Sequence, residues 1–496
     1  MPDENNPEQP IRTTTTLDIH LGVTAQQLEE AGVLNVILGV DTQLFIDPRL
    51  LQNTDIPEFS TSKGLVDEYF NNLLRVNQQA HLTARVRELA ISMIAIKEPK
   101  GLAIGYGNSR DSGTAIPRSV AVASLRSLNE LLLVGINDTR VMEMLGLFIY
   151  RFGSDSISDL IAHIIYEDLC SFTQRVCGEL GVATTRYTIN GNHYELPTHP
   201  FKPHQIILLP VDLLSPLPVA TSWEEIAEVA RVNAETRRAF NDLVGENIGN
   251  FAKAIKRDPT RLTTSSENMQ TLIDMYSNTS ARPYDIDTDI RGYQRLTEFA
   301  SRLERNSSTE STRIDQPSDM IDFIRDEIIS RYRRHIEQLG ANLMLYQRTG
   351  TQLRTVDPLK PLHEDASQIL FHIVADDMCR LSNVMLSREP STAAGAVDFS
   401  IGTGYRNKAL VEIKKSTNND LINGYTKQIE RYLEAEAAAE AFYVVVIVRE
   451  SDVSREDSKL NELKALHATR IREGLRTPQL EVINGLIRET ASVPEA

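Results

Sequence analysis

Cysteine is scarce in this sequence. Only Cys170, Cys177 and Cys379 occur among 496 residues. An odd number at wide spacing argues against a disulfide framework or a zinc site and fits a reducing, cytoplasmic setting. Cys170 and Cys177 fall in an apolar helical stretch and read as core. Long hydrophobic runs are lacking too. None approaches the roughly 18 consecutive apolar residues of a membrane span, so no membrane partner is expected. The opening residues, MPDENNPEQP, are acidic and carry no apolar h-region. They read as a disordered lead-in over residues 1–14 rather than a secretory signal. Positive charge is in deficit: the formal net charge is −16. That weighs against a constitutive, high-affinity nucleic-acid binder, whose footprint is basic, but leaves room for an enzyme with a local basic groove.

What is present is ordinary globular material, with 41% apolar and 24% charged residues. At roughly 100–200 residues per domain the length suggests two to four domains. Residues 15–240 read as a mixed α/β N-terminal domain of unassigned role. Helical periodicity runs through Gly64–Ala95, Asn190-Gly191 marks a tight hairpin turn, and Gln205–Leu209 reads as a short buried strand. Residues 241–356 read as a mainly helical connector, including one helix over Asp319–Leu345. After Pro361 the expected order is α-β-β-β-α-β-α-β. It comprises a helix over His363–Leu381, a strand at Ser382–Leu386, a hairpin of Ala396–Ile401 with Lys408–Lys414, a helix over Asn423–Ala441, a buried strand at Phe442–Val448, a helix over Ser454–Glu473 and a last strand at Gln479–Ile487. A mixed sheet flanked by helices follows from that order.

The hairpin carries the chemistry. Side chains alternate along a strand, so Glu412 and Lys414 share one face while Val411 and Ile413 share the other. Asp398, fourteen residues before Glu412, falls on the neighbouring strand. Two carboxylates and an ammonium would converge, which suits a divalent metal and a water set against a phosphodiester. Glu-x-Lys alone is common: Glu98-Pro-Lys100 and Glu462-Leu-Lys464 match it in this same chain, without an aspartate on a preceding strand. A solvated ion pair is the bland alternative, contributing only about 0–1 kcal/mol. The surroundings are locally positive. Between Gly404 and Arg431 stand six basic residues (Arg406, Lys408, Lys414, Lys415, Lys427, Arg431) against three acidic ones (Glu412, Asp420, Glu430).

On these residues the segment 357–490, about a quarter of the chain, resembles the PD-(D/E)xK phosphodiesterase superfamily. Asp398 and the triplet Glu412-Ile413-Lys414 match its motif. Gln428 and Tyr432, at i and i+4 on one helix face, match the QxxxY element of its RecB-like branch. The Pro-Asp dipeptide is replaced by Val397-Asp398. The resemblance implies an α/β fold with a restriction-endonuclease-like mixed sheet, and a nuclease domain spanning 357–490. It implies Mg2+, with Mn2+ as a substitute, bound by Asp398, Glu412 and the Ile413 carbonyl. Glu364, with Asp365 as its rival, would be the acidic residue of the first helix, there to hold a second metal or steer a metal-bound water. Lys414 would orient the attacking water, while Gln428 and Tyr432 grip the scissile strand or brace the site. Arg406, Lys408, Lys415 and Lys427 are phosphate-contact candidates. The expected activity is hydrolysis of DNA to 5′-phosphate ends, in a prokaryotic restriction or antiphage defence effector regulated by its N-terminal region, a partner protein or homo-oligomerisation. A catalytically silent binding module and an RNA-cleaving toxin are the alternatives.

Overall fold

A computed structural model of the chain describes residues 14–105, 116–133, 154–215, 281–289, 292–305, 314, 317–346, 365–388, 391–392, 395–403, 407–428, 433, 438 and 440–487. The chain divides into two compact units. One comprises Asp18–Asn35 and Asp41–Tyr284. The other comprises Met1–Leu17, Val36–Val40 and Asp285–Ala496. Much of what the sequence suggests as a connector, from 285 to 346, therefore clusters with the C-terminal sheet.

Among its described residues the first unit is mainly helical, with helices at Ser62–Gln78, Ala84–Ile94, Arg118–Leu133, Ser154–Ile164 and Tyr166–Leu180. Cys170 and Cys177 are buried in the last of these. Burial pushes both thiols up to about 12, so they stay protonated and inert at neutral pH. The expected hairpin forms: Thr185–Ile189 pairs with Asn192–Leu196. Asn190 and Gly191 take positive φ, 51° and 88°, as a type I′ turn demands. The expected strand at Gln205–Leu209 does not form. Its backbone amides are shared out among separate segments: Ile206 N–H donates to Pro197, Ile207 N–H to Gly101 and Leu208 N–H to the Thr173 hydroxyl. The stretch is buried without a ladder.

The second unit is built on five strands, β1 (Met385–Arg388), β2 (Phe399–Gly402), β3 (Lys408–Lys415), β4 (Glu440–Ile447) and β5 (Gln479–Asn484). They lie in chain order across one sheet. β1, β2 and β3 are antiparallel neighbours, whereas β3–β4 and β4–β5 are parallel. The sheet is thus mixed, as the element order predicts. β4 reads Phe-Tyr-Val-Val-Val-Ile without alternation because both its faces are covered. Phe442, Val444 and Val446 enter one apolar cluster; Tyr443, Val445 and Ile447 enter the other.

Helices cover the first of these faces. α1 (Ser330–Glu337) and α2 (Asp365–Leu381) supply Tyr332, Ile336, Leu370, Phe371 and Val374 to the same cluster. The single helix expected over Asp319–Leu345 is segmented. Pro317–Asp322 runs into a π-helical turn at Phe323–Ile329, then α1, then a 3-10 turn at Ala341–Leu345. The break falls at Gly340, whose φ of 78° lies in the left-handed region that ends helices. α1 also seals the open edge of β5. Arg333 Nη1 donates to the Val482 carbonyl at 2.6 Å and pairs with Glu481 at 2.6 Å, and the Asn484 amide donates to Glu337 at 2.8 Å. Edge-strand groups that would otherwise template aggregation are satisfied by side chains. On the opposite face lie Leu421, Tyr425 and, from α3 (Lys459–Arg472), Leu460 and Leu463.

Tyr332 ties α1 to α2. It is fully buried, and its hydroxyl donates to the Ser367 carbonyl at 3.0 Å. Tyr332→Ala is expected to cost about 3–5 kcal/mol, as for large aromatic truncations, and Tyr332→Phe about 1 kcal/mol. Urea unfolding measures both. A Tyr332→Ala protein as stable as wild type would show that residues before 357 are not part of this core.

Candidate active site

The site forms where β2 and β3 stop pairing. The backbone ladder runs from Gly402↔Lys408 to Phe399↔Val411 and goes no further. Beyond it, side chains take over. The Asp398 carboxylate accepts from the Ile413 amide, Oδ2 to N 2.6 Å. Reciprocally, the Asp398 amide donates to Glu412 Oε2 at 3.3 Å. Lys414 Nζ lies 2.9 Å from Glu412 Oε1. Asp398, Glu412 and Lys414 therefore converge. Alternation explains why: Val411 and Ile413 enter the apolar cluster of one face while Leu410 enters the other, the face that Glu412 and Lys414 share with it.

This is a buried charged site. Side-chain exposure is 2% for Glu412 and 11% for Lys414. Ion pairs at such depth lose much of their attraction to desolvation, so stability alone gives little reason to place them there. The donors available to a cation are all oxygen: two carboxylates and the Ile413 carbonyl. In a hydrogen-bonded antiparallel pair a residue's N–H and C=O face the same neighbour. With the Ile413 N–H on Asp398, its carbonyl is directed to that same edge. Among the described residues no group of three or more His, Cys, Asp and Glu comes together. A hard cation held here would rest on two carboxylates and keep several waters, which Mg2+ accepts and a thiophilic metal does not.

One contributor was not foreseen. Gln368, in α2, donates from Nε2 to Asp398 Oδ1 at 2.9 Å. The carboxylate is thus held at both oxygens. The available signal was a lone amide in the apolar run Gln-Ile-Leu-Phe-His-Ile-Val-Ala, four residues after Glu364. One turn further along α2, His372 stacks on Phe399, with ring centroids 5.9 Å apart and planes at 16°. Burial, reinforced by the Arg388 charge, lowers the His372 pKa to about 3.

The remaining candidates divide. Glu364, Arg406 and Tyr432 lie outside the described residues. Gln428 ends a π-helical turn, Gly424–Gln428, and its side chain is not described. Lys427, in the same turn, is exposed. Lys415 follows Lys414 and by alternation faces the other side of the sheet. Lys408 starts β3, four residues before Glu412, or about 13 Å along a strand at ~3.3 Å per residue. It belongs to the turn end of the hairpin rather than to the carboxylates.

Two family models match the chain, a domain of unknown function, DUF8370, over residues 22–222 and a domain of unknown function, DUF8371, over residues 322–450. The second encloses Gln368, Asp398, Glu412 and Lys414. No curated protein and no solved structure matches. Among the described residues no helix is long and apolar enough to cross a membrane.

His372 yields a pH prediction. Its folded pKa of about 3 lies below the ordinary 6.5, so the unfolded chain binds the proton more readily. Stability from the neutral ring is complete above about pH 6.5 and is lost as pH falls toward 3. Each unit of pH in that window costs about 1.4 kcal/mol. Thermal unfolding from pH 7 to 5, where most carboxylates stay ionised, is expected to show a falling midpoint that His372→Phe flattens. Parallel curves for the two proteins would contradict it.

Proposed function

We propose that the C-terminal unit is a metal-dependent nuclease of the PD-(D/E)xK, restriction-endonuclease-like type, hydrolysing DNA phosphodiesters. The observation that carries this is the meeting of Asp398, Glu412 and Lys414 where β2 and β3 part. The mixed sheet, with an antiparallel hairpin leading into two parallel strands and helices on both faces, supports it.

In this reading Asp398 and Glu412 hold Mg2+ through carboxylate oxygens, with the Ile413 carbonyl as a third ligand. When bound, the ion supplies charge neutralisation at the phosphate and a water of lowered pKa. Lys414 presents its ammonium beside Glu412, where it orients the attacking water and stabilises the negative charge that builds on the phosphoryl oxygens. The burial of Lys414 strengthens that interaction, since bulk water is excluded from it. Hydrolysis breaks one P–O bond and forms another to the water oxygen, and the leaving oxygen takes up a proton. Lys427, exposed in the turn Gly424–Gln428, is assigned to a backbone phosphate. The first unit is proposed to recognise or gate the substrate in a prokaryotic defence effector.

The test uses the full chain with linear, nicked, circular and single-stranded DNA and with RNA, in Mg2+, Mn2+ or EDTA. Cleavage of DNA is expected with either metal and none in EDTA. Lys414→Ala and Asp398→Asn are each expected to slow it by at least about 10²–10³-fold, the usual loss when one stabilising group is removed. Wild type and Lys414→Ala behaving alike on every substrate would contradict the proposal, and cleavage confined to RNA would redirect it to a ribonuclease.

A further inference from the structure

We infer that Gln368 is a positioning residue that fixes the orientation of the Asp398 carboxylate, an inference resting on the metal-ligand role given to Asp398 above. The terminal torsion of an aspartate joins an sp3 to an sp2 carbon and is broad and roughly two-fold. A carboxylate meant to meet a cation in one plane therefore needs an outside restraint. Here there are two. Oδ2 accepts from the Ile413 amide at 2.6 Å and Oδ1 from Gln368 Nε2 at 2.9 Å. Because an ionised carboxylate only accepts, the Gln368 amide must present its NH2 group rather than its oxygen.

The chemistry of the donor matters. A lysine or arginine in this place would pin the carboxylate but also cancel its charge and compete with a cation. A neutral amide pins it and leaves the charge. Gln368 is itself well held. It is buried, and the residue before it is anchored through its carbonyl to the Tyr332 hydroxyl. Four residues on, the His372 ring lies flat on Phe399, the residue after Asp398. α2 thus grips the Asp398–Phe399 segment at two points one helical turn apart. The ring stack sets the spacing of helix and strand, and the amide sets the carboxylate plane. Groups that orient metal ligands typically account for 10–100-fold in metal affinity or activity.

The test is Mn2+ binding to the full chain, counting free Mn2+ by its EPR signal, for wild type, Asp398→Asn and Gln368→Met. Methionine keeps the length of the side chain and removes the donor. Expected are Mn2+ uptake by wild type, its loss in Asp398→Asn, and about 10–100-fold weaker uptake in Gln368→Met. Circular dichroism checks folding. Should the methionine variant misfold, Gln368→Asn carries the test instead, since it keeps an amide but withdraws it by one methylene, and the same weakening is expected. A well-folded Gln368 variant with wild-type Mn2+ affinity would overturn the positioning role while leaving the metal site standing. Wild type that takes up no more Mn2+ than Asp398→Asn would overturn the metal site itself and the role of Gln368 with it.

Discussion

At the end of the hairpin, a side chain does the work of a backbone. Past Phe399↔Val411 the ladder between β2 and β3 ends, and the Asp398 carboxylate bonds the Ile413 amide while Glu412 bonds the Asp398 amide. This exchange is what brings the carboxylate of the residue before β2 and a carboxylate of β3 to one place. It also satisfies backbone groups that would otherwise be left unpaired where the strands part. Lys414, two residues along the same strand as Glu412, completes the group because a period of two returns it to the same face.

The rest of the unit keeps that exchange in position. β3 is flanked by β2 and β4 and carries apolar side chains toward helix-covered faces on both sides. Charges there cost desolvation free energy that an apolar trio would not. The compensation is local: the ion pair, the amide bonds and the Gln368 contact share the acceptor capacity of the two carboxylates. α2 therefore has two tasks, packing Leu370, Phe371 and Val374 into the core and presenting Gln368 at the site.

Much of this was legible from residue pattern. A run such as Phe442–Ile447, β-branched and aromatic without alternation, can hardly be other than an interior strand. Asn190-Gly191 specifies its turn through backbone sterics alone. The convergence of Asp398, Glu412 and Lys414 followed from strand alternation and hairpin length, both local properties. What escaped was long-range. Gln368 lies 30 residues before Asp398 in the chain, and no local rule states which helical amide will face which strand end. The same limit applies to Gln205–Leu209, whose apolar pattern is strand-like but whose amides found partners in three different segments. It applies as well to Arg333, a cation on a charged helix whose binding to the edge of β5 no local pattern announces. The placement of Lys408 at the turn end was readable from spacing, but a count of basic residues in a window does not register position along a strand.

Anomalous scattering from crystals grown with Mn2+ tests the central claim most directly. The account predicts a single strong peak between the carboxylates of Asp398 and Glu412, at coordination distance, about 2.1 Å for a Mg2+-like ion, from an oxygen of each. Well-ordered carboxylates with no peak between them, in crystals that bind Mn2+ elsewhere on the protein, would contradict it.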